Sequence, residues 1–219
     1  MCIRDRKKAP EWVKDQETIS TPSLLAEEEN RFVDKSFRPT NQLQETIATT
    51  ASEIYLHNAG LILLAPAIAP LFDKLGYIQK GQFKNNVVQT RAIHVLQYMV
   101  GRESQPAEFL LPLNKIICGL SIKEPIERTI ELTEIEKKET LVFIESMIHH
   151  WSVLKTTSAQ GLQDAFLQRK GKLVFKEDQC WHLKVEHKTL DILLNKLPWG
   201  FAIIKHPWMT HMLKTEWVY

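Results

Sequence analysis

The chain has almost no excess of charge of either sign: 28 Lys and Arg stand against 26 Asp and Glu in 219 residues, a formal balance of +2. Such a balance supplies no long-range attraction to a phosphate backbone or an anionic membrane, so nucleic acid is not implied as a partner. Cysteine is scarce as well. Cys2, Cys118 and Cys180 show no paired spacing, which argues against a disulfide framework and for a reducing, cytoplasmic compartment. No apolar run reaches the roughly 18 residues of a membrane span. The longest, Ala59 to Phe72, has fourteen residues interrupted by Pro66 and Pro70, and reads as a buried, proline-broken core helix.

Signature motifs are missing too. There is no phosphate-cradling G-x-x-x-x-G-K-[ST], no H-E-x-x-H, no G-x-S-x-G elbow and no C-x-x-C pair. The best metal candidate is His149 and His150 with Cys180, His182 and His187. Adjacent helical residues point about 100° apart, and His182 and His187 fall on opposite faces of a strand, so the set does not converge. No metal, cofactor or catalytic residue is expected. Glu134, Glu136 and Glu139 are explained by helix capping and a solvated face.

What is present is a large apolar fraction, 44%, enough for a substantial core. It ends in an aromatic-rich stretch from Leu197 to Trp217 that holds three of the six tryptophans. Each indole removes roughly 150–250 Å² from water when buried, so this stretch needs a broad apolar surface and is expected to fold back onto the helices before it. Phe201, Ile203 and Lys205 alternate with Ala202, Ile204 and His206, which predicts a short strand between Gly200 and Pro207. Trp199, Lys205, Trp208, Met209 and Trp217 are the candidate interaction residues. Lys205 shares strand parity with Phe201 and Ile203; it reads either as an edge lysine reaching to water or as a fixed contact to a partner.

Upstream, Met1-Cys2-Ile3-Arg4-Asp5-Arg6 reads as translated adapter sequence joined to a broken gene, so the chain is expected to be a C-terminal fragment of a longer protein. Residues 1–40 are then this scar plus a polar linker or tail, and 41–219 one globular domain. Glu45 to His57 suggests a helix or a helix–strand junction. Helices are predicted over Val87–Val100, with His94 a boundary or core histidine beside its apolar face, and over Phe109–Leu120, closed by Gly119. Thr133-Glu134-Ile135-Glu136 is a capping box. It opens a helix to about Trp151, whose stripe is Leu141, Ile144, Ile148 and Trp151. Another helix starts near Thr157-Ser158 and stops at Gly171. The period then switches to that of strands: Leu173 and Phe175, then Trp181, Leu183 and Val185, predict a hairpin. A short helix from Thr189 to Leu197 follows. The fold class is α+β, mainly helical, with a small antiparallel sheet in the C-terminal third.

Several blocks together resemble the tape measure family of contractile injection systems. They are Ile54 to Leu61 with Pro66; Arg91 to Tyr98; Leu113 to Gly119; Ile130 to Thr133; His150-Trp151; Lys155 to Ser158; Gly161-Leu162; Phe166 to Arg169; and Leu197 to Gly200 through Trp208. The resemblance covers about residues 45–217 and leaves out the polar segment before Thr40. It implies a non-enzymatic part in setting or completing inner-tube length, with inner-tube, baseplate or hub proteins as partners. A ruler needs an extended element, at about 1.5 Å per helical residue. These residues are instead cut short by Gly and Pro, so they are expected to form a globular anchoring module. The alternatives are an adaptor binding a baseplate or cargo protein through an exposed Trp/Met patch, or a hydrolase whose pocket would gather His, Asp or Cys.

Overall fold

The computed structural model of the chain describes residues 53–101 and 106–218. The tail, the scar and the start of the Glu45–His57 segment lie outside them. The chain enters through strand β1 (Ile54–Leu56) and then the apolar run, which is interrupted at Pro66 as expected but not at Pro70: 3-10 turns at Ala59–Leu63 and Ala65–Ala67 lead into helix α1 (Ile68–Lys74), which carries Pro70 in its first turn. Ala59, Leu61, Ile62, Leu63, Leu64, Ile68 and Phe72 from this run form the middle of the core. No helix among the described residues is long and apolar enough to cross a membrane.

A two-stranded hairpin, β2 (Ile78–Gln79) and β3 (Gln82–Phe83), was not foreseen. Lys80 and Gly81 turn it, both at positive φ, the conformation that a two-residue turn matching strand twist requires. Helix α2 (Asn86–Gly101) follows. From Ala92 onward it is buried nearly all round rather than along one stripe. Helix α3 (Pro112–Ile117) begins on proline and ends before Gly119, whose φ is +77°. Helix α4 (Glu134–His150) carries the expected capping box, with Thr133 as N-cap, and buries Ile144 and Ile148 with Trp151 behind them.

The next helix departs from expectation. It is one α turn, α5 (Ala159–Leu162), capped by the Ser158 hydroxyl, and then a π segment over Gln163–Leu167. Gly171 does not stop it. That residue opens strand β4 (Gly171–Phe175), where a Cβ would lie 2.5 Å from the Ala59 Cβ, so it is glycine because β4 passes directly over the first buried turn.

β4 pairs antiparallel with β5 (Trp181–Val185), as predicted. The sheet is wider than the hairpin suggests. Its order is β1-β4-β5-β7-β6, with β6 (Ile203–Ile204) and β7 (Leu213–Glu216). β1 joins from the other end of the chain, and β5 and β7 run parallel. The α+β class stands, and the sheet is mixed. The strand expected over Gly200–Pro207 shrinks to the two residues of β6, because β7, too polar to show as a strand in sequence, takes the place beside β5. Between β5 and β6 the residues Thr189–Lys196 form a 3-10 helix that buries Leu194 and leaves Leu190 half exposed.

Candidate functional site

The three C-terminal tryptophans tie their segment to three separate parts of the molecule. Trp199 donates its indole N–H to the Leu63 carbonyl at 2.8 Å, Trp208 to the Ile117 carbonyl at 2.9 Å, and Trp217 to Asp191 Oδ2 at 2.9 Å. Each ring thereby buries apolar area without stranding its one donor. Trp208 is the most enclosed in aromatics: Phe83 and Phe72 lie 5.3 and 5.9 Å away, centroid to centroid, and His206 stacks on it at 4.6 Å. Met209 is buried beside them, its sulfur accepting the His206 backbone N–H. The His206 ring pairs Nε2 with the Ala65 carbonyl at 2.9 Å. Burial holds its pKa below the usual histidine value, against the opposing pull of that carbonyl.

Under Trp217 lies an ion pair. Arg169 and Asp191 are both completely buried, joined at 2.6 Å from Nη2 to Oδ1. Asp191 Oδ2 also accepts the Lys188 backbone N–H and the Trp217 indole. Arg169 donates Nε–H to the Ala165 carbonyl, and its guanidinium lies 5.7 Å from the ring centres of both Phe166 and Trp217. Neither residue stood out in sequence, since nothing local marks a charge whose partner is twenty-two positions away.

A second polar centre corrects an expectation. Glu134 is exposed, but Glu136 is buried and does more than cap. Its carboxylate takes the Thr133 N–H at 2.6 Å, Arg91 Nε–H at 2.7 Å, and the Tyr77 hydroxyl. Burial on its own would raise its pKa; the Arg91, Tyr77 and Thr133 donors outweigh that and bring it down to about 2. His94 is likewise inside, its Nε2 facing the Glu127 carbonyl at 2.8 Å, which is the core-histidine reading.

The predicted interaction residues are thus not one surface. Trp208, Met209 and Trp217 are 8%, 4% and 6% exposed, so an outward Trp/Met patch is not found here: packing on Phe72, Phe83 and Asp191 has consumed these side chains. Trp199 is partly buried. Lys205 is exposed and turns its ammonium back onto its own chain, donating to the Met209 and Thr210 carbonyls.

Two of the clefts that open among the described residues stand out by volume. One, of about 540 Å³, is apolar, between Leu120 and Ile122 on one wall and Phe175 and Trp181 on the other. The larger, of about 770 Å³, lies between the end of α2 and the open end of the β4–β5 hairpin, with Asn58, Gln97, Lys170 and Lys188 in its walls. Neither gathers the His, Asp and Cys set that a hydrolase would show. No group of three or more His, Cys, Asp or Glu suited to a metal ion occurs among the described residues.

A family model described as contractile injection system tape measure protein matches residues 3–217. The match therefore takes in the polar segment before Thr40, to which the resemblance in sequence gave no part. No curated protein and no solved structure matches the chain.

Proposed function

Because the chain belongs to the contractile injection system tape measure protein family, a family of structural components of phage-tail-like particles, we propose that residues 53–218 are its globular anchoring module and not the ruler itself. The observation that carries this is the tie-back of the C-terminal segment: three indoles bind three distant parts of one core, at Leu63, Ile117 and Asp191. Such cross-linking makes a compact knob that holds its shape when attached at one point. A ruler has the opposite needs. The longest described helix, α4, has 17 residues, about 25 Å of length at the helical rise, and its neighbours are shorter. Length would be set by residues outside the described ones. The partners are inner-tube, baseplate or hub proteins of the same particle, met during assembly in the cytoplasm, a compartment that suits the free thiols of Cys118 and Cys180.

The test is genetic and is read by electron microscopy. Removing Trp199 to Trp217 is expected to abolish particle assembly, whereas inserting or deleting residues before Glu53 is expected to change particle length. Particles of normal number and length after the C-terminal deletion would refute the anchor.

A further inference from the structure

After α3 the chain runs without regular secondary structure over residues 120–132, until Thr133 caps α4. This strap packs Leu120, Ile122, Ile126 and Ile130 against the core, and side chains of the two helices beneath it hold its carbonyls. Lys115, itself buried, donates to the Glu124 carbonyl at 2.7 Å, and Arg91 donates to the Glu131 carbonyl at 3.1 Å. Between those two ties the Glu127 carbonyl lies 2.8 Å from His94 Nε2. A carbonyl can only accept, so this contact puts the ring proton on Nε2 and leaves Nδ1 a bare acceptor. Nδ1 is buried and has no partner among the described residues. The ring is thus held neutral in one tautomer, and the middle of the strap hangs on its single proton.

A second proton would have to enter at Nδ1, where neither water nor an acceptor meets it. The charges that face the ring are Arg91, one turn back on α2, and Glu127 on the strap. Charged side chains of the surrounding helices turn to partners of their own: Glu136 of α4 to Arg91 and Tyr77, Lys137 of α4 to Glu134, and Lys115 of α3 to Glu108. Burial weighs most against the imidazolium and Arg91 adds to it; the Glu127 carbonyl and carboxylate oppose both without cancelling them, which keeps the His94 pKa below the ordinary histidine value. Above about pH 6.5 the ring is neutral whether the strap is down or lifted. Below that value a ring freed by lifting takes up a proton more readily than the buried one, so the lifted form gains as pH falls. The strap yields before the helices, because side-chain ties hold its middle while α2 and α4 keep backbone ladders.

We propose that His94 is an acid-sensitive latch, whose protonation releases the Glu127 carbonyl and lifts the middle of the strap, residues 125–130, off α2. Lifting uncovers Ile126 and Ile130, so acid changes the apolar surface that the module presents. The latch does not rest on the anchoring reading. The experiment is native-state proteolysis of the full chain by a glutamyl endopeptidase at pH 7.5 and 5.5, with cleavage after Glu127 read by mass spectrometry. Each rate is divided by that of a free peptide of residues 119–133 at the same pH, so the ratio follows the population of the lifted form. A freed ring of ordinary pKa is about ten times more often charged than neutral at pH 5.5, so the ratio is expected to rise close to tenfold between the two pH values. His94→Gln keeps an N–H donor where Nε2 stood and does not titrate; it should abolish the rise, while His206→Gln, at the other buried ring, should retain it. Three results overturn the proposal: a ratio that does not change with pH, the same rise in His94→Gln, or cleavage after Glu139 and Glu145 within α4 rising in step, which would be unfolding of the whole module. Should His94→Gln not fold, the native ring decides: nitrogen NMR at pH 6.5 is expected to show it mostly neutral with the proton on Nε2, and a ring half or more protonated there overturns the latch.

Discussion

Replacing Asp191 by alanine should be among the most damaging single changes to this module. The substitution leaves Arg169 with its guanidinium fully buried and its carboxylate partner gone. Removing one member of a buried pair costs roughly 3–5 kcal/mol, mostly from the uncompensated charge. Two further donors, the Trp217 indole and the Lys188 N–H, lose the acceptor they share. Each stranded buried donor costs about 1–3 kcal/mol, but the groups relax together, so the sum is less than additive. A loss of about 4–6 kcal/mol follows, against total stabilities of ~5–15 kcal/mol for domains of ordinary size. Urea unfolding followed by far-ultraviolet circular dichroism measures it. Trp217→Phe removes one hydrogen bond and little area, and should cost about 1–2 kcal/mol. The double change Arg169→Met, Asp191→Leu should recover most of the loss, because no bare charge remains. A cost below about 2 kcal/mol for Asp191→Ala, or a double variant no better than the single one, would show that the pair is not the buried, mutually dependent unit described.

Three other outcomes are expected. Gly119→Ala should destabilise by about 1–3 kcal/mol in the same assay, because a Cβ at that φ of +77° would stand 2.2 Å from the Trp208 carbonyl oxygen; a neutral substitution would mean that the loop moves aside freely. Glu136 makes stability depend on acid: its folded pKa of about 2 lies below the ordinary 4.5, so its contribution is complete above pH ~4.5 and is lost as pH falls through ~2, for at most about 3 kcal/mol. The gap in stability between the native protein and Glu136→Gln should therefore narrow between pH 5 and 2, and a gap independent of pH would contradict the assignment. Burial raises the Cys118 thiol well above the ordinary cysteine pKa, and the thiolate is the reactive form, so pulse labelling with a maleimide should leave Cys118 unmodified until the chain unfolds. Labelling in native buffer would show that the end of α3 opens on its own.

What could be read from the sequence was what neighbouring residues decide among themselves. Thr133 and Glu136 announce a helix start because a capping box is a contact between residues three apart. Pro66 interrupts the apolar run, while Pro70 falls in the first turn of α1, where its missing N–H costs no intrahelical bond. The alternation of Leu173, Leu183 and Val185 marks a half-buried hairpin without reference to anything else. The failures share the opposite property. Glu136 acquires its second role from Arg91 and Tyr77, which lie 45 and 59 residues away, and no local pattern distinguishes it from Glu134, which stays exposed. Gly171 looked like a helix stop because glycine serves there; the real demand on it is the approach of Ala59 across the fold. Strand β7 contains Lys214, Thr215 and Glu216, polar residues that become a strand because β5 offers them a ladder. The tryptophans fall between these cases. Their need for an apolar surface was legible, and the consequence, that Trp208 and Met209 would be used up inside and unavailable outside, was not.

Where force enters such a module follows from the order of its contacts. Any pull arriving along the chain at Glu53 is received first by β1, a three-residue strand that among the described residues pairs with β4 alone. Three residues of ladder would open easily if they were all that held it. They are backed at once by Asn58, whose amide reaches Gln97 on α2 and Asn114 on α3, and by the Ala59 N–H, which binds the Arg169 carbonyl at 2.9 Å. Arg169 is fixed by Asp191, and Asp191 holds Trp217 at the far end of the chain. The entry segment and the C-terminal segment are thus joined through one backbone bond and three side chains, those of Arg169, Asp191 and Trp217, so load applied at β1 is shared with the part of the molecule most remote from it in sequence.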